Sequence, residues 1–254
     1  MKFSRPVDGG PCWVELSTPD VAGAEAFYSA LFGWRTETDP RPEAGGYTVA
    51  HLGDAPVAAL TPPYQPGQPP AWTVSFLTRD TDATVAAAAR AGGSLLAGPL
   101  DVFDQGRFAV LADPCGAVFS LWQARAFGGA RLLNEPGALG WVELTTRDRA
   151  GALDFYPAVF GWTVTPSGHY PQWGIDGQDF GGLMAMDDKY PPEVPSHWLP
   201  YFAVRDADRA AAGASAAGGR TLMPPTPVGD RRRIAVLRDP QGATFGVHGP
   251  GDGA

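Results

Sequence analysis

The chain has 254 residues, enough for one large domain or two of ordinary size. Lys and Arg number 19 against 27 Asp and Glu, a formal net charge of −8, which argues against nucleic acid and anionic membranes as partners. Cys12 and Cys115 are too few for a disulfide framework or a zinc site, no run approaches a membrane span, and MKFSRPVDGG lacks a signal-peptide apolar stretch. The expectation is a soluble, cytoplasmic globular protein, monomer or homodimer.

The 33 Gly and 26 Pro punctuate apolar segments rather than cluster, which predicts many turns between short elements. A strand with alternating pattern runs over 13–17 (WVELS), and a helix follows between Asp20 and Gly33. Asp at a helix start accepts the unpaired amide hydrogens of the first turn, and Gly past its end takes the left-handed conformation that stops it. Ala24, Phe27, Tyr28 and Leu31 give that helix one apolar face. Several short β-type runs come next.

The same order then recurs: a strand over 73–77 (TVSFL), a helix between Asp80 and Gly93, and further strands. Two of these flank Asp113-Pro-Cys-Gly116, a type I turn signature with Asp first, Pro second and Gly fourth. A Gly/Ala-rich stretch around 128–137 joins this half to the next. Residues 141–162 (WVELTTRDRAGALDFYPAVFGW) match 13–34 (WVELSTPDVAGAEAFYSALFGW) at fifteen of 22 positions, far above chance. Helices are expected again between Asp148 and Gly161 and between Asp206 and Gly219, and Asp239-Pro-Gln-Gly242 repeats the turn. The chain is a duplication, with halves over 1–127 and 138–254 and a linker over 128–137. Each half holds two strand–helix–three-strand modules.

Four such βαβββ modules, of α+β class, can curve their strands into cups with the helices outside. This arrangement resembles the vicinal oxygen chelate superfamily, which includes glyoxalases, bleomycin-resistance proteins and extradiol dioxygenases. The resemblance rests on the strand–Asp–helix–FYxxxFGW openings, the W…F…D.D…GG segments and the closing GRxAVLxDPxGAxF runs. It is nearest to two-domain actinobacterial-type members labelled hydroxylase or antigen. It implies that function resides on the inner face of each cup.

Strand alternation assigns that face. Val14 and Leu16 pack under the helix, which leaves Trp13, Glu15 and Ser17 facing inward; the second half supplies Trp141, Glu143 and Thr145. Ser120 and Trp122 on the last strand of the first half, and Gly246 and His248 on that of the second, share the inward parity. So does Tyr201. Trp34, Trp162, Trp72 and Trp198 are expected in the core. Gly246 and His248 opposite Trp141 make the second cup the roomier, and the Pro-rich loop over 186–197 is a candidate lid.

The resemblance implies metal ligands on the first strand, on the mid-domain strand and seven residues after the Asp of the DPxG turn. Those positions carry Trp13 and Trp141, Thr73 and Leu199, Ser120 and Gly246, none a credible donor for a divalent ion. No metal is therefore expected. The alternative is one divalent ion such as Fe, Mn, Ni or Zn held by displaced donors, for which Glu15, Glu143, His197 and His248 are available. A carboxylate on an apolar strand is costly unless paired, so Glu15 and Glu143 are either bonded, with Arg107 and Arg233 as expected partners, or act on a ligand, as acceptor or general base.

Tryptophan walls with a few polar groups suit a flat hydrophobic or aromatic molecule, unless they simply fill the cup. The leading expectation is a metal-independent binding protein of the glyoxalase/bleomycin-resistance type for such a metabolite or antibiotic. Trp13, Ser120, Trp122, Trp141, Tyr201, His248, Arg107 and Arg233 are its candidate contacts. The alternative is a lyase, isomerase or oxygenase of the same fold, with a non-standard metal site or with Glu15 or Glu143 as catalytic base.

Overall fold

A computed structural model describes residues 4–188, 190–229 and 231–251. The first module comprises β1 (Pro11–Ser17), α1 (Val21–Phe32), β2 (Arg35–Thr38), β3 (Thr48–Leu52) and β4 (Ala55–Thr61). The second comprises β5 (Ala71–Leu77), α2 (Thr81–Arg90), β6 (Ser94–Val102), β7 (Gly106–Ala112) and β8 (Val118–Ala124). The second half repeats both: β9 (Leu139–Thr146), α3 (Arg149–Phe160), β10 (Thr163–Thr165), β11 (Gln172–Ile175) and β12 (Gln178–Ala185), then β13 (His197–Ala203), α4 (Ala207–Ala216), β14 (Arg220–Val228), β15 (Arg232–Arg238) and β16 (Thr244–Pro250).

Strand order is β2-β3-β4-β1-β5-β8-β7-β6 in one curved mixed sheet and β10-β11-β12-β9-β13-β16-β15-β14 in the other. Within a module the opening strand lies parallel to the last, as in Glu15 beside Ala59, and the other pairings are antiparallel. The βαβ crossover supplied by each helix makes that parallel pairing possible.

The helix starts follow the expected chemistry. Asp20, Asp80, Asp148 and Asp206 each accept a hydrogen bond from the backbone N–H three residues on. Gly33 and Gly161 end α1 and α3 in the left-handed region, at φ 74° and 70°. The other two helices stop earlier than expected, at Arg90 and Ala216, with Ala91 and Ala217 as caps. There the left-handed residues are Gly92 and Gly218, at φ 91° and 89°, not Gly93 and Gly219. Gly93 and Gly219 instead donate their N–H groups back to Ala88 and Ala214, which closes the last turn.

The described residues form two compact units, each drawing on both halves of the sequence. One contains Met1–Trp13, Thr73–Gly129 and Val142–Leu199, so it takes its helices α2 and α3 from different halves. The other contains Val14–Trp72, Ala130–Trp141 and Pro200–Ala254, with α1 and α4.

Each unit has an aromatic core built from the FYxxxFGW motif. In the second unit Tyr28 stacks on Trp34 at 5.5 Å and meets Trp72 edge-on at 5.3 Å. Trp72 Nε1 donates to Tyr28 Oη (3.0 Å), which donates to Asp239 Oδ2 (3.0 Å). The first unit repeats the relay: Trp198 Nε1 donates to Tyr156 Oη (2.9 Å), which donates to Asp113 Oδ2 (3.0 Å). Each Asp also accepts from backbone N–H groups of its own DPxG turn, Cys115 and Ala117 in one case and Gln241, Gly242 and Ala243 in the other. The four tryptophans expected in the core are all buried there.

Candidate functional site

On β1, Val14 and Leu16 are fully buried, so the opposite face carries Trp13, Glu15 and Ser17. Glu15 is half-buried, and its carboxylate accepts a 2.6 Å hydrogen bond from the hydroxyl of Tyr64, an exposed residue in the Pro-rich segment after β4. Tyr47, just before β3, bonds the same carboxylate. Burial raises the Glu15 carboxyl above the usual range, and the two tyrosine hydrogen bonds oppose that rise. Thr61, beside Ser17 in the β1–β4 register, donates to the Pro62 carbonyl at 3.2 Å. The Ser17 hydroxyl is buried and has no hydrogen-bond partner among the described residues.

The second half supplies a parallel set in the other unit. Glu143 is buried on β9, opposite Gly182 of β12 in the parallel register. The Tyr170 ring lies so close over Gly182 that a Cβ there would collide with it. Tyr170 precedes β11 as Tyr47 precedes β3. Tyr190, in the segment after β12, has its hydroxyl pKa raised by burial, with the charges of Glu143 and Asp187 adding to the effect. It lines a cleft of about 400 Å³ with Arg147, Asp188 and Pro192. Arg147 Nη2 donates to the carbonyls of Pro191 (2.7 Å) and Val194 (3.1 Å), which anchors this stretch of the 186–197 loop; Lys189 of that loop lies outside the described residues. Glu143 thus acts on Tyr190 through its charge, while Tyr170 covers the neighbouring Gly182.

The arginines go elsewhere. Arg107 shares the face of Ala109 and Leu111 on β7, and its guanidinium bonds Asp82 of α2 (2.9 and 3.1 Å) and Asp101 (3.0 Å). Arg233 repeats this with Asp208 of α4, at 2.8 and 2.9 Å. The expected pairing of Arg107 and Arg233 with the glutamates is corrected accordingly: each arginine ties a strand to the first turn of its module's helix, where an Asp one residue into the helix offers two oxygens.

Trp13 and Trp122 both pack on Phe127. Trp13 meets its ring edge-on at 4.9 Å, and Trp122 lies 6.0 Å from it while donating Nε1–H to the Phe127 carbonyl at 2.8 Å. Ser120 is half-buried on β8 beside Ser75 of β5, and Trp141 is half-buried on β9. Gly246 does not open space in the second half as its small size suggested. The Tyr201 ring rests directly on it, and the His248 imidazole rests on Gly140 in the same way. Burial and the nearby Arg232 charge lower the His248 pKa to about 3, so it is neutral, and its Nε2 has no partner among the described residues. His197 Nδ1 is occupied by the Pro195 carbonyl at 2.9 Å.

A divalent ion needs several donors converging on one point. At the ligand positions implied by the fold stand two tryptophans, a leucine, a glycine, a threonine and a serine. Among the described residues no three His, Cys, Asp or Glu side chains gather to replace them. The donor set does not fit a metal centre.

Tyr47, Tyr64, Tyr170 and Tyr190 are the residues that sequence reasoning left out of the site; strand alternation places Ser17 inward but gives it no role. Tyr47 and Tyr170 were findable, because aligning the halves places both within two residues of the start of equivalent strands. Tyr64 and Tyr190 lie in loops of different length and composition, where that alignment loses its register.

No helix among the described residues is long and apolar enough to cross a membrane. Residues 13–122 match the Glyoxalase-like domain, and residues 138–247 match the Glyoxalase/Bleomycin resistance protein/Dioxygenase superfamily. The chain is 41% identical over 258 residues to the "Putative glyoxylase CFP32" of Mycobacterium tuberculosis, covering 98% of each. It is 38% identical over 263 residues to the "Anthracycline biosynthesis protein DnrV" of Streptomyces peucetius, covering 96% of this chain and 94% of that one. Its fold is similar to that of the 2,3-dioxygenase LapB from Pseudomonas sp. KL28, with TM-score 0.68, 14% identity and coverage of 95% and 92%. A Mn(II)-bound glyoxalase from Novosphingobium aromaticivorans is similar at TM-score 0.67 and 15% identity, with coverage of 97% and 83%. With two matched domains and relatives this similar over their whole length, the chain belongs to the glyoxalase/bleomycin resistance protein/dioxygenase superfamily, that is, the vicinal oxygen chelate fold carried in tandem.

Proposed function

We propose that this protein binds a small hydroxylated aromatic metabolite or antibiotic, without a metal, using Glu15 as its polar anchor. The observation that carries the reading is the Glu15 carboxylate, held on the inner face of β1 by the Tyr64 hydroxyl at 2.6 Å and by Tyr47. A carboxyl acceptor on a largely apolar strand gives orientation to a ligand whose other contacts are mostly non-directional. The name of the Streptomyces peucetius relative supports an aromatic ligand of the anthracycline kind. The net charge of −8 supports a protein with no nucleic-acid or anionic-membrane partner, and the reading keeps it as a cytoplasmic monomer or homodimer.

Tryptophan fluorescence titrated with 2-hydroxyanthraquinone tests the reading. Saturable quenching at micromolar concentration, weakened about 10-fold or more in Glu15→Gln, is the expected result, since a hydrogen bond to a charged group is worth about 1.5–3 kcal/mol. Absence of saturable quenching in the wild type would sink it. The second reading is a metal-free enzyme that uses Glu15 or Glu143 as base, and the raised Glu15 carboxyl favours it. In that case Glu15→Gln would keep the ligand and lose turnover.

A further inference from the structure

We propose that Tyr64 holds the place of the ligand at Glu15, so that the site takes a phenol, and that Ser17 reads a carbonyl on the same ring system. This rests on the binding role assigned above and specifies its ligand class.

The Glu15 carboxylate already accepts a phenol O–H, that of Tyr64, at 2.6 Å. Tyr64 is 67% exposed and lies in the segment Pro62-Pro63-Tyr64-Gln65-Pro66, outside any strand. Little apolar burial is lost when it turns away, and a phenolic ligand then offers Glu15 the same hydrogen bond with its ring in the cup.

Ser17 supplies the second point. Its neighbours in the cluster are all occupied: Glu15 by Tyr64 and Tyr47, Tyr64 by Glu15, and Thr61 by the Pro62 carbonyl. Within this cluster the Ser17 hydroxyl is buried, at 5% exposure, and has no hydrogen-bond partner among the described residues. Leaving such a group unpaired costs about 1–3 kcal/mol, which a ligand acceptor would recover. Glu15 and Ser17 lie two residues apart on one strand face, about 6–7 Å between Cα atoms. The Glu15 oxygen accepts from the Tyr64 hydroxyl, so the same position takes a ligand's hydroxyl, and the serine O–H is left to donate to a carbonyl oxygen. A phenol alone satisfies one of the two, a quinone alone satisfies the other, and a hydroxylated aromatic ketone or quinone satisfies both.

The test uses the full chain and three probes: 2-hydroxyanthraquinone, 2-hydroxyanthracene and 9,10-anthraquinone. Wild type should prefer the first over each of the others by about 5-fold or more. Ser17→Ala should weaken 2-hydroxyanthraquinone about 5-fold or more and leave 2-hydroxyanthracene unchanged, while Ser17→Thr, which keeps the hydroxyl, should restore binding. Tyr64→Phe should tighten both phenols, because the internal competitor is gone, and leave anthraquinone unchanged. Ser17→Ala should melt no lower than wild type, since it deletes an unpaired group. Equal losses on all probes, no loss on any, a large fall in melting temperature for Ser17→Ala, or weaker phenol binding in Tyr64→Phe would each overturn the inference while leaving the binding role in place. Failure of the wild type to bind any of the three probes would instead remove the binding role itself.

Discussion

Tyr28 donates a 3.0 Å hydrogen bond to Asp239, 211 residues further along the chain, and Tyr156 makes the same 3.0 Å bond to Asp113. Each tyrosine also accepts from a buried tryptophan, so one phenol satisfies an indole N–H and a carboxylate at once. Tyr28→Phe should therefore cost about 2–4 kcal/mol, because it strands both groups. Urea denaturation measures it, and a double cycle with Asp239→Asn should reveal strong coupling. Additive losses would show that the relay carries no cooperative energy.

The Glu15 carboxyl is raised in the native state, chiefly by burial. Such an acid contributes stability below its unfolded pKa of about 4.3 and loses it as pH rises through the native value. Glu15→Gln carries no such titration. Its stability relative to wild type should rise between pH 4 and pH 7, as read from urea midpoints at the two values. A gap that narrows with pH would mean the tyrosine bonds outweigh burial.

Arg107 and Arg233 are each held by an aspartate in the first turn of a helix, in partly exposed ion pairs. Arg107→Ala should lower the urea midpoint only slightly, because solvent screens partly exposed ion pairs. Ligand affinity should not change. A selective loss of binding with stability preserved would return Arg107 to the ligand site.

Metal uptake can be measured directly. After incubation with Fe²⁺, Mn²⁺, Ni²⁺ or Zn²⁺ and removal of excess ion, less than about a tenth of an equivalent should remain, given the Trp, Thr, Ser, Leu and Gly side chains at the expected ligand positions. One tightly held equivalent would overturn the metal-free reading and make Glu15, Glu143 and His248 the first residues to mutate.

The fold was legible because its signals are local and repeated. An Asp cap needs only the backbone three residues away, and the FYxxxFGW motif appears twice with its spacing intact. The burial of Val14 and Leu16 likewise follows from strand alternation alone. The site was less legible because its geometry depends on loops. Period-two alternation identified Glu15 as inward-facing, but nothing in the pattern indicates that Tyr64 folds back onto it. Arg107 misled for a related reason: charge complementarity suggested Glu15, while strand parity sends the side chain toward Asp82. Gly246 misled because a missing side chain reads as space, whereas here the Tyr201 ring rests against it.

The relays have a consequence for how such a chain could have arisen. Cut within 128–137, the first half would retain Tyr28 without Asp239 and Asp113 without Tyr156; the second half would carry the complementary deficits. In the pairing seen here, a single ancestral copy would have completed both relays by associating with another copy of itself, each phenol reaching the other's turn. Fusion of two copies would have turned that concentration-dependent encounter into an intramolecular one. Thereafter the two copies were free to diverge in their cups, while the residues that join them stayed the same.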